Sequence, residues 1–389
     1  MNLKNLSVAI VTHRSIMPCI PGADLKKFAL AHGCSNLLYI THPLLLLKES
    51  WGLSSERELY ESKKGLKTSK FSHWIMPEIL LYIKDIICSV VWTLNTKQIY
   101  DIYFGINNLN AFSGLVLKKL GKVRKVVYYT IDLYPERFTN PLVNWIYHQL
   151  DKFCVKHCDE TWNVSPYLTK YREKQGITGT SYSRQFTVPI GIWFDDMQRI
   201  PSSKRKRSKI VYVGHLKDFY GVDLAINSLP LVRKEIPSAY LEIIGGGEEQ
   251  ATLEKLAEKN GISRFIKFYG WKEKKEAENI IADSAIGLAP FNTLIIDEKI
   301  KNGDPAKIKD YLALGVPVVM TNASLNASAI ADAKCGIVIE NYDAQEFADA
   351  IVKLLKNDKI WEEYQKNALV FIQKFDWNYL FSKNISRLI

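Results

Sequence analysis

The stretch "GDPAKIKDYLALGVPVV" at residues 303–319 combines residue types that could bind an anion. Asp304 suits a helix N-cap, Pro305 suits the first helical position, and Gly315 suits the position just after the helix. Such a helix of about ten residues, roughly 15 Å long, presents free backbone N–H groups and the positive end of a dipole at its start. We therefore expect an anion to bind there, beside Lys307.

Asp310 lies one helical turn after Lys307, and its carboxylate could accept two hydrogen bonds from a ribose. The simpler alternative is a surface ion pair between these two side chains, worth about 0.2–0.5 kcal/mol. We favour ligand binding, because the helix start is specified by its sequence and lies where the ends of the predicted strands converge.

Several residues of the second half directly follow predicted strands, where an α/β sheet binds its ligands. They are Gly214, His215, Lys217, Gly246, Gly270, Trp271, Phe291 and Asn292. His215 and Lys217 could reach a phosphate, and Trp271 could flank a base. A tight turn explains the glycines of "IIGGGEE" equally well, because the G-x-G-x-x-G fingerprint is not satisfied.

In the first half, Asp132 follows the strand of "KVVYYTID", with Tyr134 and Arg137 close behind it in sequence. We expect Asp132 to face an acceptor, although capping of the following turn is the structural alternative. Gly22 lies in a predicted loop after the first strand, where its backbone could approach donor phosphates or the acceptor.

The elements that must position these residues alternate between β-branched runs and amphipathic helices, which indicates parallel sheets with helices on both faces. The rhythm stops at a basic stretch and restarts after it. We predict an α/β protein with two Rossmann-like domains facing across a cleft. The predicted segments are a first domain 1–195, a linker 196–208, a second domain 209–370, and a C-terminal helix 371–389 that packs on the first domain.

The composition fits a two-domain globular protein, with 389 residues, 47% hydrophobic and 24% charged. The net charge of +11 suits a phosphate-bearing ligand or an anionic membrane surface, whereas nucleic-acid binding has only this charge in its favour. The basic runs 63–70 and 118–125 could be solvated faces or could meet an anionic membrane. Six scattered cysteines and no recognisable signal peptide predict a cytoplasmic protein, either free or peripheral on the inner membrane face.

The most apolar segment is 74–94, which Glu78, Lys84 and Asp85 interrupt, so we do not expect it to span a bilayer. Its apolar residues recur at helical spacing. We interpret it as a core helix, with an interfacial helix as the alternative.

The order "VYVG", "GVD", "LEIIGGGEE", "IKFYGW", "LAPF" and "PAKIKDYLALGVPVV" resembles the donor-binding half of GT-B glycosyltransferases. It is most similar to the large retaining family commonly called glycosyltransferase family 4. Upstream, "KVVYYTIDLYPERF", "DETWNVSPYLTKY" and "VPIGIWFDDM" are similar to the first domain and the segment entering the linker. The similarity covers nearly the whole chain, and the PAK-helix-GVPVV unit is its most specific part.

This resemblance implies transfer of a sugar, with retention, from a nucleotide-diphosphate sugar to a glycan or lipid-linked glycan, without a separate cofactor. The helix start at Pro305 and Ala306, with Lys307, would bind the diphosphate. Asp310 would hold the ribose. The backbone near Gly270, beside Trp271, would recognise the base. The absence of a D-x-D triplet indicates that no metal is needed.

The chain departs from the family pattern at two places. His215 and Tyr220 stand where many relatives carry Arg and Lys, and Asn302 stands where they carry the first of two glutamates. These departures keep two alternatives open: a nucleotide-sugar epimerase on the same scaffold, and a non-catalytic module that binds a nucleotide sugar.

Overall fold

The computed structural model describes residues 3–14, 21–43, 54–61, 64–72, 77–179, 184–296 and 303–389. The chain forms two compact units. The first contains residues 1–190 together with 380–389, and the second contains residues 191–379. Within the described part of the chain, no helix is both long enough and apolar enough to cross a membrane.

The first unit contains an eight-stranded sheet in the order β4-β3-β2-β1-β5-β6-β7-β8. Its strands are β1 Ser7–Arg14, β2 Asn36–Pro43, β3 Ser54–Glu61, β4 Lys64–Ser72, β5 Tyr100–Ile106, β6 Val123–Thr130, β7 Glu160–Asn163 and β8 Arg184–Thr187. Its helices are α1 Pro21–Ala31, α2 Glu78–Leu94, α3 Asn108–Lys119, α4 Pro141–His157 and α5 Pro166–Lys174.

The predicted parallel pairing holds for β2, β1 and β5 to β8, but β3 pairs antiparallel with both β2 and β4. The predicted basic run 63–70 falls largely on β4, where Lys70 forms an ion pair with Glu56. In the other basic run, 118–125, four of the five cations have partners in the same unit: Lys118 with Asp159, Lys122 with the Thr96 carbonyl, Arg124 with Asp101 and Lys125 with the Leu388 carbonyl.

Helix α2 turns its polar side inward, so the prediction of an apolar core face on segment 74–94 is wrong for the described residues. Its buried residues are Leu81, Asp85, Cys88, Ser89 and Thr93. Its exposed residues include Ile79, Leu80, Ile83, Ile87, Val91 and Leu94. The inversion arises because two histidines of the sheet face α2 and bind Asp85.

The second unit contains a six-stranded parallel sheet in the order β11-β10-β9-β12-β13-β14. Its strands are β9 Lys206–Val213, β10 Tyr240–Ile244, β11 Ile266–Phe268, β12 Ser284–Ala289, β13 Val318–Thr321 and β14 Gly336–Ile339. Its helices are α6 Val222–Glu235, α7 Gln250–Lys259, α8 Lys274–Ala282, α9 Ala306–Ala313, α10 Ala327–Asp332, α11 Ala344–Lys356 and α12 Asp358–Ile372. Strand β9 begins at Lys206, within the predicted linker.

Alternate residues of the central strands pack on opposite faces of this sheet, as the period of a strand requires. Tyr212 and Leu288 pack in one core cluster with residues of α6, α7 and α11. Val211 and Ala289 pack in another with residues of α9, α10 and α12. Both faces are therefore covered, which is typical of a parallel sheet.

The C-terminal segment 371–389 is not one continuous helix, because α12 ends at Ile372 and a separate helix follows it. After α12, the carboxylate of Asp376 accepts hydrogen bonds from the backbone N–H groups of Asn378 and Tyr379, and helix α13, Trp377–Ile385, begins there. Residues 380–389 belong to the first unit, where Phe381 packs edge-on against Phe28.

A buried ion pair ties the helices of the first unit to its sheet. The Arg172 guanidinium, 1% exposed, donates two hydrogen bonds to Asp151, at 2.9 and 2.6 Å, and one each to Asn163 and Thr130. Asp151 also accepts a hydrogen bond from the Tyr128 hydroxyl. Removing the arginine would leave the buried Asp151 carboxylate without its counter-charge and with the Tyr128 hydroxyl as its remaining donor among these contacts.

We expect Arg172→Met to lower the free energy of unfolding by roughly 3–5 kcal/mol, because it strands a buried carboxylate. Arg124→Met is the matched control, because Arg124 pairs with Asp101 on the surface and should cost less than about 1 kcal/mol. Urea denaturation measures both, and equal losses for the two variants would contradict this account.

Candidate functional site

The order of strands in the second unit reverses between β9 and β12, and this point of reversal is where open α/β sheets bind ligands. The buried Tyr311 hydroxyl bridges the two strands there. It accepts a hydrogen bond from the Val213 backbone N–H at 2.7 Å and donates one to the Leu288 carbonyl. This bridge holds the ends of β9 and β12 on either side of Tyr311.

Predicted site residue Gly214 lies at the end of β9, where the backbone is too crowded for a side chain. A Cβ atom on Gly214 would lie 2.7 Å from the Lys307 ammonium nitrogen, and one on Gly245 would lie 1.9 Å from the Gly214 carbonyl oxygen. Both glycines also have positive φ angles, +147° and +131°. The close approach of the Gly214 carbonyl therefore requires glycine at position 245, and the positive φ angle favours glycine at position 214.

The Lys307 ammonium sits among aromatic rings at this edge of the sheet. Its Nζ donates a hydrogen bond to the Tyr212 hydroxyl at 3.1 Å and lies 4.4 Å from the ring centres of Tyr212 and Tyr220. Phe291, another predicted residue, is 5.2 Å away. Among the residues that the structure describes, no carboxylate pairs with it, and burial lowers the pKa of Lys307 to about 7.

The start of helix α9 differs from the prediction, because Asp304 does not cap it. Pro305 occupies the cap position, Ala306 is the first helical residue, and the eight-residue helix is about 12 Å long. The Asp304 carboxylate instead accepts hydrogen bonds from Lys309, at 2.5 Å, and from the Asn326 side chain, at 3.1 Å. The helix start thus has no carboxylate cap, and Lys307 is its second residue.

Asp310 is part of a different environment from Lys307, and no ion pair joins these two described residues. Burial raises the pKa of Asp310 to about 6. Its charged neighbours are Lys274 and Glu278 of helix α8 and Lys309 of its own helix. The surface ion pair considered as an alternative is therefore wrong.

His215, Lys217, Gly246 and Trp271 form a second group at the ends of β9, β10 and β11. Lys217 and His215 both lie beside the exposed Glu248, at 3.0 and 3.4 Å, and burial lowers the pKa of His215. The His215 ring is 5.6 Å from that of Trp271, which is 59% exposed. A Cβ atom on Gly246 would lie 2.9 Å from the indole nitrogen.

Three further predicted positions have structural roles or fall outside the description. Gly270 has φ +66°, and its carbonyl accepts a hydrogen bond from Gly245. The Asn292 backbone N–H donates to the Phe219 carbonyl, and its side chain accepts from Leu294, as in a turn. Asn302 lies outside the described residues.

In the first unit, the strand order changes direction between β1 and β5, and a cavity of about 390 Å³ is found there. The predicted residues Asp132, Tyr134 and Arg137 line it. Gly22 does not line the cavity. It lies in helix α1 and not in a loop, and a Cβ atom there would lie 2.9 Å from the Thr12 side chain.

The sequence analysis missed His13, which lies one residue before the end of β1, lines the same cavity and contacts two polar side chains. Its Nε2 lies 3.3 Å from the Asp85 carboxylate, and its Nδ1 accepts a hydrogen bond from the Asn110 amide. Asp85 also contacts His42 and Lys84. Burial would raise the pKa of Asp85, but His13 and His42 hold it well below its usual range. A buried carboxylate within an apolar helix was the available signal.

Tyr212 and Tyr311 were missed as well, because aromatic residues in a β-branched strand and in an amphipathic helix read as ordinary core. No cluster of three or more His, Cys, Asp or Glu side chains within the described ranges could hold a metal ion.

The raised pKa of Asp310 predicts that this carboxylate costs stability at neutral pH. A group with a pKa of about 6 when folded and 3.8 when unfolded loses stability as the pH rises through this window. Asp310→Asn should therefore raise the free energy of unfolding by about 1–3 kcal/mol at pH 7.5 and change little at pH 3.5. Asp332→Asn, on the surface of the same unit, is the control. A variant no more stable than wild type at pH 7.5 would contradict the assignment.

Comparisons with known proteins agree with this architecture. Residues 194–370 match the family model described as "Glycosyl transferases group 1". The poly(glycerol-phosphate) alpha-glucosyltransferase of Bacillus subtilis (strain 168) is 26% identical over 45% of this chain and 24% of its own length. The GDP-mannose-dependent alpha-(1-6)-phosphatidylinositol monomannoside mannosyltransferase of Mycobacterium tuberculosis (strain CDC 1551 / Oshkosh) is 24% identical over 55% of this chain and 58% of its own length.

Among solved structures, Anabaena HepE in complex with UDP has a TM-score of 0.64 at 14% identity, covering 98% of this chain and 100% of that one. This likeness shows the fold. The chain matches about a quarter of the length of the first curated relative and less than two thirds of the second. The two α/β units thus have the GT-B fold, and residues 194–370, most of the second unit, match the group 1 glycosyltransferase family model.

Proposed function

We propose that the chain is a glycosyltransferase that moves a sugar from a nucleotide-diphosphate sugar to a glycan or lipid-linked glycan. The observation that carries this proposal is the Lys307 ammonium, held at the switch point of the second unit beside the start of α9. It has no carboxylate partner among the described residues, so a bound anion would supply the missing charge. The complex of the structural neighbour HepE with UDP supports a nucleotide diphosphate as that anion.

The chemical step would break the bond between the sugar and the donor's β-phosphate, which gains negative charge as the bond lengthens. Lys307 and the free N–H groups of α9 would stabilise that charge in the transition state more than in the ground state. They would do so without a metal. A low pKa suits this role, because the incoming diphosphate restores full protonation.

Asp310 and Trp271 would hold the nucleoside part of the donor. An ionised Asp310 can accept hydrogen bonds from both ribose hydroxyls. Trp271 offers an exposed ring for stacking on a base, and Gly246 leaves room beside it. Lys217 would have to leave Glu248 to reach a phosphate, so Lys307 is the stronger candidate.

The acceptor would bind in the first unit, where Asp132 is exposed and lines the cavity. Transfer with retention leaves the departing phosphate to take the acceptor proton, so Asp132 would orient the acceptor hydroxyl. Both ring nitrogens of His13 already have partners. His13 would therefore shape the site and not act as the base.

Binding of UDP should depend on pH through Lys307. The side chain is protonated well below its pKa of about 7 and loses its positive charge above it. We therefore expect the affinity for UDP to fall by up to about tenfold per pH unit between pH 7 and 9. Lys307→Arg keeps its charge over this range and should give a flat profile. Calorimetry measures both. The same slope in wild type and variant would show that Lys307 does not contact the phosphates.

Turnover should depend on the same side chain. Lys307→Ala should lower the rate of nucleoside diphosphate release at least 100-fold with UDP- and GDP-sugars and glycan or lipid-linked acceptors. Lys275→Ala, on the surface of α8, is the control and should retain the rate. Excess EDTA should leave the wild-type rate unchanged.

Two results would contradict the proposal. Formation of an epimerised donor without use of an acceptor would indicate an epimerase. Nucleotide binding with no turnover across the panel would indicate a binding module.

A further inference from the structure

The cavity of the first unit has mostly hydrocarbon walls. Its volume of about 390 Å³ lies within the range of ordinary ligand sites, roughly 300–1,000 Å³. Three helices supply the apolar lining: Ile79, Ile83 and Ile86 from α2, Leu109 and Phe112 from α3, and Val143, Ile146 and Leu150 from α4. An unbranched or isoprenoid hydrocarbon suits such walls better than a sugar, because sugar hydroxyls would lose water without finding partners.

The polar groups of the cavity come from strand ends and the segment after β6. They include His13, Asp132 and Arg137. Arg137 donates a hydrogen bond to the Tyr82 hydroxyl at 3.3 Å, and among the described residues no carboxylate forms an ion pair with it. A guanidinium in that position can bind a phosphate with two parallel hydrogen bonds. The lining thus matches a ligand with a hydrocarbon chain and a phosphate.

The helices that wall the cavity also expose apolar side chains to solvent, both at the cavity and beyond it. On α2, Ile79, Ile83 and Ile87 are about half exposed, and on α4, Leu142, Trp145 and Ile146 are 65%, 59% and 51% exposed. The buried positions of both helices include carboxylates, Asp85 and Asp151. Contiguous exposed apolar side chains of this kind mark contact with an apolar partner or phase. They continue the apolar walls of the cavity outward.

We propose that this cavity binds the hydrocarbon chain of a lipid-phosphate acceptor, with the phosphate at Arg137 and the glycan towards Asp132. The proposal rests on the proposed function and names its substrate class. The hydrocarbon chain of the acceptor enters between α2 and α4, against the lining residues Ile79, Ile83 and Ile146.

The first test uses the wild-type chain with tetradecyl phosphate that carries a photoreactive diazirine in its alkyl chain. We expect saturable binding, with cross-links in α2, α3 and α4 at residues that line the cavity. Inorganic phosphate in tenfold excess should not displace the probe, because the alkyl chain of the probe supplies most of its affinity. Cross-links confined to the second unit, or spread evenly over the surface, would overturn the proposal.

The second test compares two isoleucines one turn apart on α2. Ile83 lines the cavity, whereas Ile87 does not, and both are about half exposed. Ile83→Asp should weaken binding of monomeric tetradecyl phosphate at least tenfold, and Ile87→Asp less than threefold. Equal effects of the two variants would assign the binding to a general apolar surface, as for a protein partner, and would overturn the cavity assignment.

The phosphate is tested with a matched pair of probes. Arg137→Gln should weaken the binding of tetradecyl phosphate at least fivefold and leave the binding of tetradecanol unchanged. An equal loss of affinity for both probes would overturn the role of Arg137 in binding the phosphate. None of these measurements needs sugar transfer. If the protein transfers sugar to a free glycan but binds no alkyl probe, this inference alone is refuted. If the protein binds the probe but transfers no sugar, the proposed function alone is refuted.

Discussion

An ammonium group withdrawn from water without a nearby counter-charge is the constraint on which the second unit depends. Aromatic rings lie against Lys307, and the Tyr212 hydroxyl accepts one hydrogen bond from it, but neither replaces a carboxylate. The pKa of Lys307 is lowered accordingly. The sheet contributes by bringing β9 and β12 together at the point where their order reverses, with the Tyr311 hydroxyl between them. This uncompensated charge is the reason why we propose that the site binds an anion.

Much of the fold could be predicted from the sequence, because alternating strand and helix periods are local signals. The order of motifs also predicted the helix that carries Lys307. Asp304 was predicted wrongly as its cap, since a sequence shows that a residue can cap a helix but not that Lys309 and Asn326 compete for its carboxylate. The aromatic partners of Lys307 come from three separate segments, and only the folded chain brings them together.

The first unit shows a second limit of sequence patterns. The spacing of apolar residues in α2 identified a helix but assigned the wrong face to the core, because a hydrophobic stripe does not say which face has partners. The deciding partners were His13 and His42, distant in sequence, which bind Asp85. In α4, Asp151 likewise faces inward, where Arg172 binds it. Both helices therefore expose apolar side chains around the cavity.

The crowding at the strand ends limits how the second unit can be changed. A Cβ atom on Gly245 would lie 1.9 Å from the Gly214 carbonyl oxygen, and one on Gly221 would lie 1.9 Å from the Pro290 carbonyl oxygen. Gly245 and Gly221 therefore tolerate no other residue. Libraries that vary the proposed nucleotide site are best directed at Trp271 and Lys217, whose side chains have space to vary. The backbone around Lys307 would then stay constant across the whole library.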